Sequence, residues 1–361
     1  MSSKKCIRLA VFATRSLCIC LVLTLLMTFA ACSQGSDAPL SPGLSMIEGV
    51  PVYDDGVAMQ TDHFTVTPGM MSYWFYSYGG ALITEMEKQV PYDSSRSLHD
   101  QIYRDGLSFY DVLMNSTLQK VSEMLIYCEA AKNAGVALTA EQQSAIESNM
   151  ISVRFEAATY GMEAEAYLKR LFGPLITVAD LQESYKLETL AAAYSRTVNK
   201  ELENGITDEQ IRAYVSANGL NDTTPSRNLS YLSISYAGGT PNETAVSSVI
   251  NALNAAPVAQ TLRDSNVGSY GEERNLTPEN TGVSAISKRL FEDGRAVGDY
   301  GRVEAGNATY VLIYTGNGIS FAEVSARMRL YDNAFAAWYN GWVEQLCFGY
   351  NYDILDSFDI S

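Results

Sequence analysis

Apolar residues fall at helical spacing through the first half of the chain and alternate in strand fashion only in the second. Asp111–Ala134 places Val112, Leu113, Leu118, Val121, Leu125 and Ile126 at helical spacing. Gly135 follows as a helix stop. The punctuation repeats: Thr139–Glu141 reopens a helix toward Tyr160, Gly161 interrupts it, Glu163–Phe172 ends at Gly173-Pro174, and Val178–Leu202 ends at Asn204-Gly205. Thr67 before Pro68 predicts an N-cap with proline in the first helical position. Thr207-Asp-Glu-Gln210 reads as a capping box that opens Ile211–Ala217. Thr67–Gly205 is therefore predicted to be strongly helical. Before it, Val50–Val66 reads as a short strand or hairpin with Asp54-Asp55-Gly56 as its turn.

Asn218–Pro225 is a turn-rich linker, after which the period changes. Leu229–Tyr236 (LSYLSISY) alternates, and Thr309–Tyr314 (TYVLIY) is the clearest strand, rich in β-branched and aromatic residues. Between them, Glu243–Leu253 and Val283–Phe291 read as helices, Gly268–Thr281 as loop, and Gly298–Arg302 leads into a strand. Ser320–Cys347 is helical again, with Phe335, Trp338, Trp342 and Leu346 on one stripe, predicted as a seam against the helical region. Tyr350–Leu355 reads as a final strand. The expected fold class is α+β.

One apolar run fits neither half. Leu17–Ala31 follows a segment with Lys4, Lys5, Arg8 and Arg15 and no acid, and Cys32 comes directly after Ala30-Ala31. A basic start, a short apolar stretch and small residues before a cleavage point predict an export signal. The run of 15 residues is shorter than the roughly 20 that span a bilayer as a helix. Its end resembles the lipobox of bacterial lipoproteins, with Phe29 where Leu, Val or Ile is usual; that resemblance implies acylation of Cys32. Ser33–Gly49, rich in Ser, Gly and Pro, then reads as a flexible tether.

Charge narrows the partners. The chain carries 25 Lys and Arg against 41 Asp and Glu, a formal charge of −16. Such a surface disfavours nucleic acid, whose binding needs clustered Lys and Arg. Of six cysteines only Cys128 and Cys347 lie beyond the signal and Cys32, which excludes a disulfide framework. Both fall in helical patterns, where buried free thiols are expected and a single bridge is the alternative.

Catalytic chemistry is sparse. His63 and His99 are the only histidines, too few for a common zinc site, and both are expected at the surface. No HExxH, GxSxG, Walker A or GxGxxG pattern occurs, so no metal or cofactor is expected. The unusual chemistry is aromatic. Met70–Tyr78 (MMSYWFYSY) is Met, Tyr, Trp or Phe at every position but its two serines. A helix apolar on nearly all faces is either core or an adaptable patch, which makes Met70, Tyr73, Trp74 and Tyr76 candidate client-binding residues.

Met124–Ile151 (MLIYCEAAKNAGVALTAEQQSAIESNMI) is similar to the N-terminal chaperone domain of the SurA/PrsA foldases: an apolar helix ending in Glu-Ala-Ala-Lys, a glycine turn, then Val-x-Leu-Thr-x-Glu opening the next helix. Asn204–Tyr214 resembles the segment that leads that domain into a parvulin module. The resemblance implies a signal at 1–31, a tether at 32–49, a helical domain at 50–217, a parvulin-like module at 226–318, and at 319–361 a C-terminal helix that packs back on the helical lobe. It also implies unfolded or newly exported polypeptides as partners, extracytoplasmic and membrane-tethered. The departure lies where parvulins carry paired histidines: those places are Tyr231 and Tyr310 here, and the module has no histidine. A tyrosine keeps a hydroxyl but cannot reproduce an imidazole pair. The expectation is a holdase with an inactive module. The alternatives are an active peptidyl-prolyl isomerase and a non-catalytic adaptor lipoprotein with one fixed partner.

Overall fold

A computed structural model describes residues 49–236, 240–292 and 294–360. The export signal, Cys32 and the tether up to residue 48 lie outside the described residues. In chain order the first elements are β1 (Gly49–Pro51), β2 (Met59–Gln60), β3 (Thr65–Val66), α1 (Pro68–Met86), β4 (Ile102–Arg104) and β5 (Leu107–Ser108). Then come α2 (Phe109–Asn133), α3 (Ala140–Thr159), α4 (Ala164–Phe172), α5 (Val178–Asn204) and α6 (Asp208–Ala217). The second half contains β6 (Pro225–Ser235), α7 (Glu243–Ala255), α8 (Ala259–Arg263), β7 (Ser269–Leu276), α9 (Ser284–Leu290), β8 (Tyr300–Ala305) and β9 (Ala308–Ser320). α10 (Phe321–Gln345), β10 (Phe348–Tyr350) and α11 (Tyr352–Leu355) close the order. The mixture is α+β, as the alternation pattern predicts.

The chain forms two compact units, one of residues up to 202 with 334–361, the other of 203–333. α10 contributes to both.

In the helical unit the predicted caps are present. Thr67 accepts from the Met70 amide at 3.1 Å and donates to Asp180 Oδ1 at 2.6 Å, so one carboxylate ties the start of α1 to the start of α5. Thr139 forms a reciprocal capping box, Ser108 forms another that was not among the expected caps, and Thr207 forms one at the start of α6 in the second unit; each contributes about 1 kcal/mol to its helix start. Gly135, Gly161 and Gly173 take positive φ where the helices stop. The core gathers Trp74, Phe75, Phe109, Leu113, Leu125, Ile126, Tyr339, Phe348 and Phe358, with Phe335, Trp338 and Trp342 of α10 packed against it. Trp338 stacks on Tyr127 of α2 with ring centroids 5.1 Å apart.

Three expectations fail in this unit. Residues 87–108 are not helical; they hold a 3-10 turn at Leu98–Asp100 and the β4–β5 hairpin. That hairpin turns at Asp105-Gly106, both at positive φ, which is the Asp-Gly chemistry of a tight hairpin. The Asp54–Gly56 turn does not join two paired strands: β1 pairs in parallel with β10, and the hairpin is β2–β3. Tyr350–Leu355 is the end of β10 and then α11 rather than one strand, because Asn351 caps a turn of helix through Ile354 N at 3.3 Å.

The second unit is a four-stranded antiparallel sheet in the order β7-β6-β9-β8. α7 and α8 cover one face through Val246, Val249, Leu253 and Leu262 on Leu232, Ile234, Val311 and Ile313. α9 covers part of the other through Ile286 and Leu290 on Leu229, Leu312 and Tyr314. Gly268–Thr281, expected as loop, contains β7. Its sequence SYGEERNL hides the strand because it is an edge whose charged side chains face water.

The thiols also divide. Cys128 is buried and free, as expected of a helical core cysteine, but Cys347 is free and exposed, since α10 stops at Gln345.

Candidate functional site

The face of the sheet that carries α9 is only partly covered. Tyr231 stands opposite Leu312, and Tyr310 opposite Ser233, so the two tyrosines lie diagonally on one face. Their ring centroids are 5.9 Å apart at an interplanar angle of 59°. Val283, Phe291 and Val303 surround them, each half-buried. Gly271 on β7 makes room for Tyr231: any Cβ there would collide with the phenol ring. Gly301 on β8 does the same for Arg289, whose guanidinium lies across the strand and donates to the Tyr300 carbonyl at 2.7 Å. Arg227 donates to the Leu290 carbonyl and sits 5.4 Å from the rings of both Phe291 and Tyr314.

Burial first, then the nearby Glu273 and Tyr310, hold the Tyr231 phenol above its ordinary range, so it stays a neutral donor at physiological pH. Burial likewise raises the Glu273 carboxyl. This surface can stack on and hydrogen-bond to a chain. The sheet unit carries no histidine and no cysteine.

The four candidates on α1 occupy a different setting. Met70, Tyr73 and Trp74 are buried in the core, Trp74 at 0% exposure, and Tyr76 is partly buried against it. The Met70–Tyr78 helix is thus a core helix, and these side chains are turned to the protein rather than to a client. The Trp74 indole donates to Glu188 Oε1 at 2.8 Å. Burial pushes the Glu188 carboxyl up to about 7, against the pull of that hydrogen bond.

Both histidines are exposed, as expected, and each is also held by a partner. His63 Nδ1 lies 2.7 Å from Glu129 Oε2, while Glu129 Oε1 accepts from the His63 amide at 2.8 Å and from Thr61 Oγ1 at 2.6 Å. Glu129, fully buried, is the glutamate of the Glu-Ala-Ala-Lys motif, and it fastens α2 to the β2–β3 turn. His99 stacks on Tyr110 with centroids 3.8 Å apart. Sequence adjacency hid both roles, because each partner is long-range. Among the described residues no group of three or more His, Cys, Asp or Glu is placed to hold a metal, and no helix is long and apolar enough to cross a membrane.

A second apolar surface lies on α3. It buries Ile146, Met150 and Ala157 and leaves Ile151 and Phe155, one turn apart, 62% and 73% exposed. The signal was present in Met150–Phe155 as apolar residues on two sides of one helix.

No family model matches the chain, and no curated protein matches it. Among solved structures it is similar to a SurA-like chaperone of Campylobacter jejuni, at 10% identity and TM-score 0.28, covering 82% of this chain and 98% of that one. It is similar to PrsA of Bacillus subtilis at 13% identity and TM-score 0.31, covering 81% and 93%. PrsA of Streptococcus pneumoniae gives 18% identity and TM-score 0.21, over 68% and 88%.

Proposed function

We propose that the chain is an extracytoplasmic holdase, tethered to a membrane through lipid on Cys32, that binds exported unfolded polypeptides and whose sheet unit binds without isomerising. The observation that carries this reading is the exposed pair Ile151 and Phe155, one turn apart on α3. Covering one such side chain with a client stabilises a complex by roughly 1.5–3 kcal/mol. That is enough for weak, sequence-tolerant binding. The half-buried Tyr231–Tyr310 face adds stacking and hydroxyl donors.

Suppression of aggregation of a reduced, unfolded client tests the reading. The wild-type chain is expected to suppress it at a few-fold excess, and Ile151→Ser with Phe155→Ser to lose most of that effect. No suppression by the wild type overturns it. Cys32→Ser should release the cleaved protein from membranes, and retention would remove the lipid anchor.

Paired phenols beside Glu273 favour one second reading, a slow prolyl isomerase. A proline-limited refolding assay decides: acceleration that disappears in Tyr310→Ala supports it.

A further inference from the structure

The outward side of α3 is built like one half of an interface. From Ser144 to Thr159 the helix runs about 24 Å. Its exposed stripe there reads Ser144, Ser148, Ile151, Ser152, Phe155 and Thr159, with no charged residue among them. The hydroxyls of this stripe are used inside the helix. Ser148 donates to the Ser144 carbonyl at 2.9 Å, Ser152 to the Ser148 carbonyl at 3.0 Å, and Thr159 to the Glu156 carbonyl at 2.6 Å. A face whose donors are already satisfied loses little when water leaves it. The stripe also has relief. Phe155 stands out as a knob, while Ser144, Glu147, Ser148 and Ile151 bound a hole at i, i+3, i+4, i+7 spacing. Knob and hole lie on the same helix.

Two charges border the stripe along one edge. Glu147 and Arg154 are seven positions apart, close to two turns, so both lie on that edge. Both are exposed, and among the described residues neither has a hydrogen-bond or ion-pair partner. An antiparallel two-fold pairing keeps such an edge facing its own copy. With the axis near Ile151, Glu147 stands opposite the partner's Arg154, and Arg154 opposite the partner's Glu147. The same axis sets Phe155 over the partner's hole and Ile151 against the partner's Ile151. One acid and one base at this spacing are answered by the same helix reversed, and by neither a bilayer nor an arbitrary client.

We propose that α3 pairs antiparallel with α3 of a second copy about a two-fold axis near Ile151, and that this pairing covers the residues which the monomer offers to clients. The first half stands on the helix alone; the second rests on the holdase reading. One helix from each copy makes a contact at the small end of specific interfaces, so the pair forms on the order of tens of micromolar and parts on dilution. Idle protein thereby hides its own exposed apolar pair, and dilute protein leaves that pair open. Salt loosens the pairing by screening its two ion pairs.

Sedimentation velocity of the purified chain from about 1 to about 200 µM should resolve a monomer–dimer equilibrium. Arg154→Glu alone and Glu147→Arg alone should each weaken it about tenfold or more, because each sets like charges together twice. Mixed with one another, these two variants should associate as well as the wild type, since every facing pair is then opposite in sign. The double reversal should restore self-association to within a few-fold. A wild type that stays monomeric throughout overturns the proposal, as do single variants that pair undiminished or a mixture that does not associate. Both substitutions leave Ile151 and Phe155 in place, so the aggregation assay reads the second half. Where the wild type is paired, Arg154→Glu should suppress client aggregation about twofold better per chain, and equal suppression overturns the masking. Pairing without suppression by any variant keeps the interface and removes the holdase reading. Suppression by a wild type that never pairs keeps the holdase and removes the interface.

Discussion

The two units solve the same problem, hiding apolar surface, with opposite materials. The helical unit closes one large core and places polar groups deep inside it: Glu129, Glu188, Ser122 and Thr117 are all buried there. The sheet unit divides its apolar residues into two small cores on either side of one sheet and leaves its tyrosines half-covered. Charge follows the same division, with 24 acidic to 11 basic residues over 49–202 and 334–361 and 15 to 10 over 203–333. Buried carboxylates make a core specific but leave it sensitive to losing a partner or a proton. A sheet with an open aromatic face is less exacting and has surface to lend.

The largest test of that contrast is Glu129→Ala. It deprives His63 and Thr61 of their acceptor and should cost the helical unit about 2–4 kcal/mol. Hydrogen exchange read separately on α2 and on β6 and β9 should show faster opening only in α2, and an equal loss in both would erase the distinction. Next is Glu188→Gln. The raised value of about 7 means that the folded chain keeps a proton which the unfolded chain, near 4.5, has released. The stability this contributes is full below about pH 4.5, declines as pH rises and is gone above about 7. The decline amounts to about 3 kcal/mol. Gln keeps the acceptor for Trp74 without the titration, so urea midpoints of variant and wild type should agree at pH 5 and separate at pH 8 with the variant the more stable.

Gly271→Ala probes the sheet unit. The new methyl must swing Tyr231 from its seat, at a cost of about 1 kcal/mol read by thermal melting, with the helical unit unmoved. The smallest effect is chemical. A thiol reagent should label exposed Cys347 in the native state within minutes, and Cys128 only on unfolding, since burial removes access and pushes its thiol up. Equal rates would show that the helical core opens readily.

The sequence made local devices legible and left long-range ones dark. Thr67, Thr139 and Thr207 announced their helices because a cap is read within four residues. Thr309–Tyr314 announced a central strand because its residues are buried or half-buried along the whole run. β7 stayed hidden because an edge strand facing water has the composition of a loop, and β1 because its partner β10 lies about 300 residues away. Asp105-Gly106 was legible and passed over within a stretch otherwise read as helix. Of the candidate residues, Tyr231 and Tyr310 lie on one sheet face with ring centroids 5.9 Å apart. The α1 aromatics could not be assigned to core or surface from periodicity alone, since a helix apolar all round has no preferred face.

β10 places Phe348–Tyr350 between β1 and β2, so residues on either side of the entire sheet unit meet in one small sheet. This sets a schedule. During synthesis the sheet unit has all of its strands once residue 320 has emerged, whereas the first unit, although begun earlier, waits for residues 334–360. A chain still being delivered therefore carries a finished insert inside an unfinished host. For that interval its α1 aromatics lack the cover that Tyr339, Phe348 and Phe358 later supply, and the nascent protein is itself in need of the protection it is proposed to give others.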